Sequence, residues 1–175
     1  MGQLPISKRG LTEFTYTRYL VPWLCDFQGE ALFIDADVLV QGDVSQLFTL
    51  PWENEAIKVV KNELKFEWPS VILFNNPQCT ILTPDFVENS QCNTLQWASG
   101  VGDLPKEWNY LIGYEDQCGK PETPMISHFT QGLPCFPETK DTLKAEWLKV
   151  QEHANSTVSW EAMMGQSVHK KAMGL

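Results

Sequence analysis

The sequence predicts an α/β protein with a mostly parallel central sheet. Three observations carry this expectation. Residues 31–34 and 70–74 are apolar on both alternate faces, and 56–60 and 125–130 are further strand-like runs. Strands buried on both faces have this pattern. The runs finish in polar turns, Asp35-Ala36-Asp37 after the first and Asn75-Asn76-Pro77 after the third. Helix-start signals fall between them, at Asp43 and at Thr83-Pro84-Asp85. Buried strands alternating with short helices are what an α/β layer fold requires.

In chain order, residues 1–10 form a polar lead-in. Thr12 caps a helix with Glu13 in its first turn, and Phe14, Leu20, Trp23 and Leu24 share its apolar stripe. Pro22 ends or kinks that helix. The strand 31–34 follows a turn containing Gly29, and 38–40 is a second extended piece. Asp43 caps a short helix over 44–48, with Val44, Leu47 and Phe48 facing inward. Residues 56–60 form a strand, 61–68 a loop, and 70–74 a buried strand. Thr83 caps a helix to about 89, and 91–97 extends it after a break. A one-turn helix lies in 103–108, followed by strand-like 110–112 and a turn-rich loop over 113–124. His128 rides on the strand 125–130. Residues 142–150 form a helix with Leu143, Trp147 and Val150 inside. One core domain over 1–150 is expected, with 151–175 as a partly disordered tail in which Trp160, Met163 and Met164 dock.

At 175 residues the chain can bury a real core. Its net charge is −9, and Arg9 and Arg18 are its only arginines, which excludes the basic footprint of a nucleic-acid binder. Five widely spaced cysteines, Cys25, Cys79, Cys92, Cys118 and Cys135, form no C-x-x-C pair. Neither a disulfide framework nor a zinc knuckle follows; free thiols in a reducing compartment do. No run reaches the ~18 apolar residues of a membrane span, and no signal core opens the chain. A soluble cytoplasmic protein is expected.

Asp35 and Asp37 concentrate the chemistry. Two carboxylates one residue apart repel unless a cation lies between them. At a strand end both can reach one Mg²⁺ or Mn²⁺, which also takes substrate phosphates. Spacing alone equally fits two turn aspartates bonded to backbone, the commoner use of such a pair.

Several segments in order add to this. They are 12–22, 31–37, Gly42-Asp43, 68–76, Leu104-Pro105-Lys106-Glu107-Trp108-Asn109, and His128-Phe129-Thr130-Gln131-Gly132-Leu133-Pro134. Together they resemble the centre of glycosyltransferases of the family 8 type, related to glycogenin and the lipopolysaccharide galactosyltransferases, and most of all small phage and bacterial members. The resemblance covers about residues 11–150. It implies an incomplete GT-A fold that lacks the N-terminal nucleotide-binding units. It implies a metal-dependent transfer of a sugar from a nucleotide-diphosphate sugar, a UDP-sugar first, to an unspecified acceptor. By the same resemblance Asp35, Asp37 and His128 hold Mn²⁺ or Mg²⁺. Arg18, Asp35, Asn75, Asn76 and Gly132, the last in the loop 131–135, lie against the donor. Asn109 is a structural or acceptor-side residue, and no catalytic nucleophile is indicated. The alternative is a non-catalytic or partner-dependent module of the same fold. An incomplete sheet also predicts a homodimer or a partner protein covering it.

Overall fold

The computed structural model describes residues 14–134, 143–159 and 162. The lead-in, the Thr12 cap with Glu13, Cys135, Trp160, Met163 and Met164 lie outside these.

The chain enters through α1 (Phe14–Thr17), a 3₁₀ turn (Arg18–Leu20) and α2 (Val21–Leu24). Pro22 sits in the first turn of α2, where its missing N–H costs nothing. The single helix expected here is thus broken into three turns. β1 (Glu30–Ile34) leads through Asp35-Ala36-Asp37 into β2 (Val38–Val40). A 3₁₀ helix (Val44–Thr49) follows, capped by the Asp43 carboxylate accepting from the Ser45 N–H. Leu47 is buried in it, but Phe48 is 40% exposed, because three residues per turn leave too narrow an inner stripe for both.

β3 (Ile57–Val59) precedes a 3₁₀ helix (Lys65–Ser70) where a loop was expected, and β4 (Val71–Asn75) follows directly. α3 (Pro84–Asn89) has the expected Thr83 cap, whose Oγ1 accepts from the Phe86 N–H at 3.3 Å. The extension after α3 is only a 3₁₀ turn, Cys92–Thr94. β5 (Val101–Asp103), a strand not expected from the sequence, is too short and glycine-containing to show a pattern. A 3₁₀ turn (Lys106–Asn109) leads into β6 (Tyr110–Leu111), and the loop beyond holds α4 (Glu115–Cys118). β7 (Ile126–His128) carries the histidine. α5 (Lys144–Thr157) crosses the expected tail boundary at 150, and Val150 on it is 53% exposed rather than inside.

The strands form two sheets, in the orders β1-β4-β3-β5 and β2-β7-β6. The β1–β4, β3–β4 and β2–β7 pairs are antiparallel; only β3–β5 and β6–β7 are parallel. The sheet is therefore mixed, which corrects the mostly parallel one expected. An apolar run reports burial on both faces, not strand direction. β4 shows this: Ile72 and Phe74 enter one core with Tyr19, Ile57 and Leu82, while Val71 and Leu73 enter another with Leu47, Leu104 and Ile126. Leu39, Tyr110, Ile112 and Phe129 form a third core, against which Leu143 and Trp147 pack.

Candidate metal centre

The Asp35-Ala36-Asp37 turn is where the chain passes from one sheet to the other. The Asp35 N–H donates to the Ser70 carbonyl at 2.9 Å and prolongs the β1–β4 ladder. The Asp37 carbonyl accepts from the Phe129 N–H at 2.9 Å and prolongs the β2–β7 ladder, in which Val38 pairs with His128. Each aspartate is thus anchored by a different sheet. The turn is fixed by two sets of backbone bonds and presents both carboxylates to one point.

His128 meets them there. Its Nε2 lies 3.3 Å from Asp37 Oδ1, and one ligand atom from each of Asp35, Asp37 and His128 falls within 4.8 Å of the others. Ligands about 2.1 Å from one octahedral ion stand roughly 3 to 4 Å apart. Two carboxylate oxygens and an imidazole suit a divalent ion such as Mn²⁺. The donor set fits the metal that the resemblance implies, and the cluster can coordinate a divalent cation.

The two carboxylates are tuned in opposite directions. Burial raises Asp35 above the ordinary aspartate range; Arg18 opposes this, and the Asp37 charge adds to it. Burial also acts to raise Asp37, but the hydrogen bond and charge of His128 outweigh it, and Asp37 is lowered. Arg18 grips Asp35 with Nη2 3.1 Å from Oδ1 and stacks its guanidinium 5.0 Å above the Phe33 ring.

The support behind His128 comes from two segments that the family resemblance names, 68–76 and 104–109, and from Glu67, which it does not. Glu67 Oε2 stands 3.7 Å from His128 Nδ1, and Asn109 Oδ1 stands 3.2 Å from it. Ser70 Oγ lies 2.6 Å from the Glu67 carbonyl oxygen and 3.0 Å from Glu67 Oε2. Pro69 offers its carbonyl to Arg18. Residues 61–68 read as a loop, so nothing in the sequence pointed to Glu67, while Asn109 was expected as a structural or acceptor-side residue.

Arg18, Asp35, Asp37 and His128 are brought together, but Asn75 and Asn76 are not brought to them. β4 runs antiparallel to β1, so Asn75 pairs with Glu30, four residues and about 13 Å of strand from Ile34. Asn76 is fully buried there; its Nδ2 donates to the Gln28 carbonyl at 2.8 Å and its backbone N–H to that of Gly29 at 3.1 Å. These bonds close the turn into β1. Gly132 follows β7 with φ +116°, its N–H donating to the Phe129 carbonyl at 3.0 Å.

The fold is shared with known enzymes. The galactosyltransferase LgtC, solved with donor and acceptor sugar analogs, superposes with a TM-score of 0.58 at 15% identity, over 88% of this chain and 70% of that one. The glycosyltransferase GlyE of Streptococcus pneumoniae TIGR4 gives a TM-score of 0.62 at 22% identity, over 81% and 43%. These likenesses establish a GT-A-like fold. In sequence, Protein CDI of Arabidopsis thaliana is 31% identical over 179 aligned positions, covering 86% of this chain and 69% of its own length. The profile described as glycosyl transferase family 8 matches residues 3–101, more than half of the chain and the part that contains Arg18, Asp35 and Asp37. On that match, this chain belongs to glycosyl transferase family 8.

Proposed function

We propose that the chain is a metal-dependent glycosyltransferase that moves a sugar from a nucleotide-diphosphate sugar, a UDP-sugar first, to an acceptor. The observation that carries this is the convergence of Asp35, Asp37 and His128, drawn from two sheets, on one cation-sized point. Mn²⁺ or Mg²⁺ held there supplies the positive charge that a leaving diphosphate needs. Asp35 and Asp37 hold the ion by oxygen and His128 by Nε2. Arg18, already at the edge of the cluster, adds a fixed positive charge on the donor side. The Gly132 turn, directly after the His128 strand, lies against the phosphates. Asn75 and Asn76 are assigned to the turn before β1 rather than to the donor.

A second reading rests on Arg18 itself. Its guanidinium already neutralises Asp35, as in a structural ion pair. On that reading the chain is a non-catalytic module that acts through a partner. One calorimetric experiment separates the two: UDP is titrated into the full chain with and without Mn²⁺, and then into Asp35→Asn/Asp37→Asn. Mn²⁺-dependent binding that the double variant loses supports the transferase. No binding by a folded chain sinks the UDP-sugar enzyme and leaves the module.

Location and partner belong to the same proposal. Among the described residues Cys25, Cys79, Cys92 and Cys118 are free thiols, which fits a reducing cytoplasm. No described helix is long and apolar enough to cross a membrane. β1 pairs on one side only among the described residues, and a homodimer or partner protein against that edge is measurable by sedimentation.

A further inference from the structure

The His128 ring is 2% exposed and has a neighbour at each nitrogen. Nε2 faces Asp37, and Nδ1 faces Asn109 Oδ1 at 3.2 Å. Asn109 is itself 3% exposed, and the other end of its amide is committed: Nδ2 donates to the Glu67 carbonyl at 3.3 Å. A backbone carbonyl only accepts, so the amide nitrogen must face Glu67 and the amide oxygen must face His128. An amide oxygen also only accepts, so Nδ1 must carry a hydrogen. Among the described residues nothing near Nδ1 offers it a donor instead. Glu67 Oε2, 3.7 Å away, is another acceptor, and Ser70 Oγ faces Glu67 oxygens at 2.6 and 3.0 Å.

Asn109 reaches this place through its own segment. Trp108 packs in the core beside Leu104 and Ile126. The Glu107 carbonyl accepts from the Met125 N–H at 2.8 Å, which ties the turn to the start of β7. β6, the next element, pairs with β7 so that Leu111 stands opposite His128.

We propose that Asn109 is a positioning residue that locks His128 in the Nδ1–H tautomer, with the Glu67 backbone carbonyl fixing the Asn109 amide. Nε2 of the neutral ring then keeps its lone pair directed at the cluster, opposite a carboxylate oxygen 3.3 Å away. Asp37 is 43% exposed and can turn its oxygen to water, whereas the Asn109 oxygen is buried against Nδ1, so in the neutral ring the single hydrogen belongs on Nδ1 rather than between Nε2 and Asp37. Partners on the far nitrogen of a ligating histidine set its tautomer and orientation, and their loss typically costs about 10- to 100-fold in metal affinity. The value of the lock to function rests on the metal reading above; the lock itself does not.

The test is nitrogen-15 NMR of the full chain with labelled histidine, free of metal, at alkaline pH where imidazole is neutral. The wild type is expected to show His128 as Nδ1–H. Asn109→Leu, which removes the acceptor, is expected to move the ring toward Nε2–H and to weaken calorimetric Mn²⁺ binding about 10- to 100-fold. Asn109→Asp keeps an oxygen against Nδ1 and is expected to keep the tautomer. An Nε2–H ring in the wild type overturns the proposal. So does Asn109→Leu with tautomer and Mn²⁺ affinity unchanged. If Asn109→Leu does not fold, the wild type and Asn109→Asp still decide. A wild type that is Nδ1–H, loses it in Asn109→Leu, and binds no Mn²⁺ supports the lock and removes the metal reading.

Discussion

Arg18 holds Asp35 at both oxygens, with Nη2 3.1 Å from Oδ1 and Nη1 3.5 Å from Oδ2, while Nη1 also donates to the Pro69 carbonyl at 2.7 Å. One side chain thus joins the entry helices, the end of β1 and the turn before β4. Arg18 is 12% exposed and Asp35 21%, so the pair stands between a surface bridge and a buried one. Removing Arg18 leaves Asp35 half-buried beside Asp37 without the guanidinium that most opposes its protonation. Arg18→Met is expected to cost about 2 kcal/mol without metal, between the values typical of exposed and buried pairs. Mn²⁺ should raise the Tm of the variant more than that of the wild type, because it then replaces a lost charge. Thermal unfolding with Mn²⁺ and with EDTA reads both effects. A smaller Mn²⁺ shift in the variant would show that arginine and metal act together rather than in place of each other.

Asn76 gives a contrasting outcome. Its amide ties β4 to the turn before β1, far along the sheet from Asp35. Asn76→Leu leaves the Gln28 carbonyl without its donor, an expected loss of about 1–3 kcal/mol in urea unfolding. Mn²⁺ and UDP binding should stay at wild-type strength. A variant that is stable but fails to bind UDP would return Asn76 to the donor site.

Thr83 tests the local code by itself. Its Oγ1 serves the Phe86 N–H at the start of α3. Thr83→Ala should cost about 1 kcal/mol and Thr83→Ser much less, since Ser retains the acceptor. Denaturant midpoints of the two variants check the order. Equal losses would mean that the Thr83 methyl, not its oxygen, matters.

Cys79 carries a pH prediction. Burial pushes its thiol from the ordinary 9.0 up to about 12, and Sγ lies 3.2 Å from the Ala56 carbonyl as a donor. The folded state keeps the proton where the unfolded chain loses it. Its contribution is therefore complete below pH 9 and declines as pH rises from 9 toward 12. Stability measured across that window should fall, and Cys79→Ala should fall less steeply. In the native protein, thiol labelling should reach the exposed Cys25 at once and Cys79 only after unfolding. Fast labelling of Cys79 at neutral pH would contradict its burial.

The sequence by itself determined the local elements and the donor types. The strand cores of β1 and β4, the Thr83 and Asp43 caps and the break at Pro22 all depend on a few adjacent residues, and those residues state them. Asp35-Ala36-Asp37 at a strand end was visible for the same reason. His128 joined the pair through a likeness to a family, not through any spacing. Only the tertiary structure decided the rest. An apolar run says that both faces are covered but not which way the neighbouring strand runs, so the antiparallel β1–β4 pair was hidden, and with it the distance of Asn76 from the cluster. Phe48, in a 3₁₀ helix, and Val150, in α5, are exposed because those elements cover less of the core than an apolar pattern implies. Glu67 carries no motif, and the segments holding Ser70 and Asn109 were named by the resemblance without a contact to His128. The roles of these residues arise where two segments distant in sequence, 65–70 and 106–109, meet behind one buried imidazole, and each polar group there must find its complement because burial keeps bulk water from replacing it.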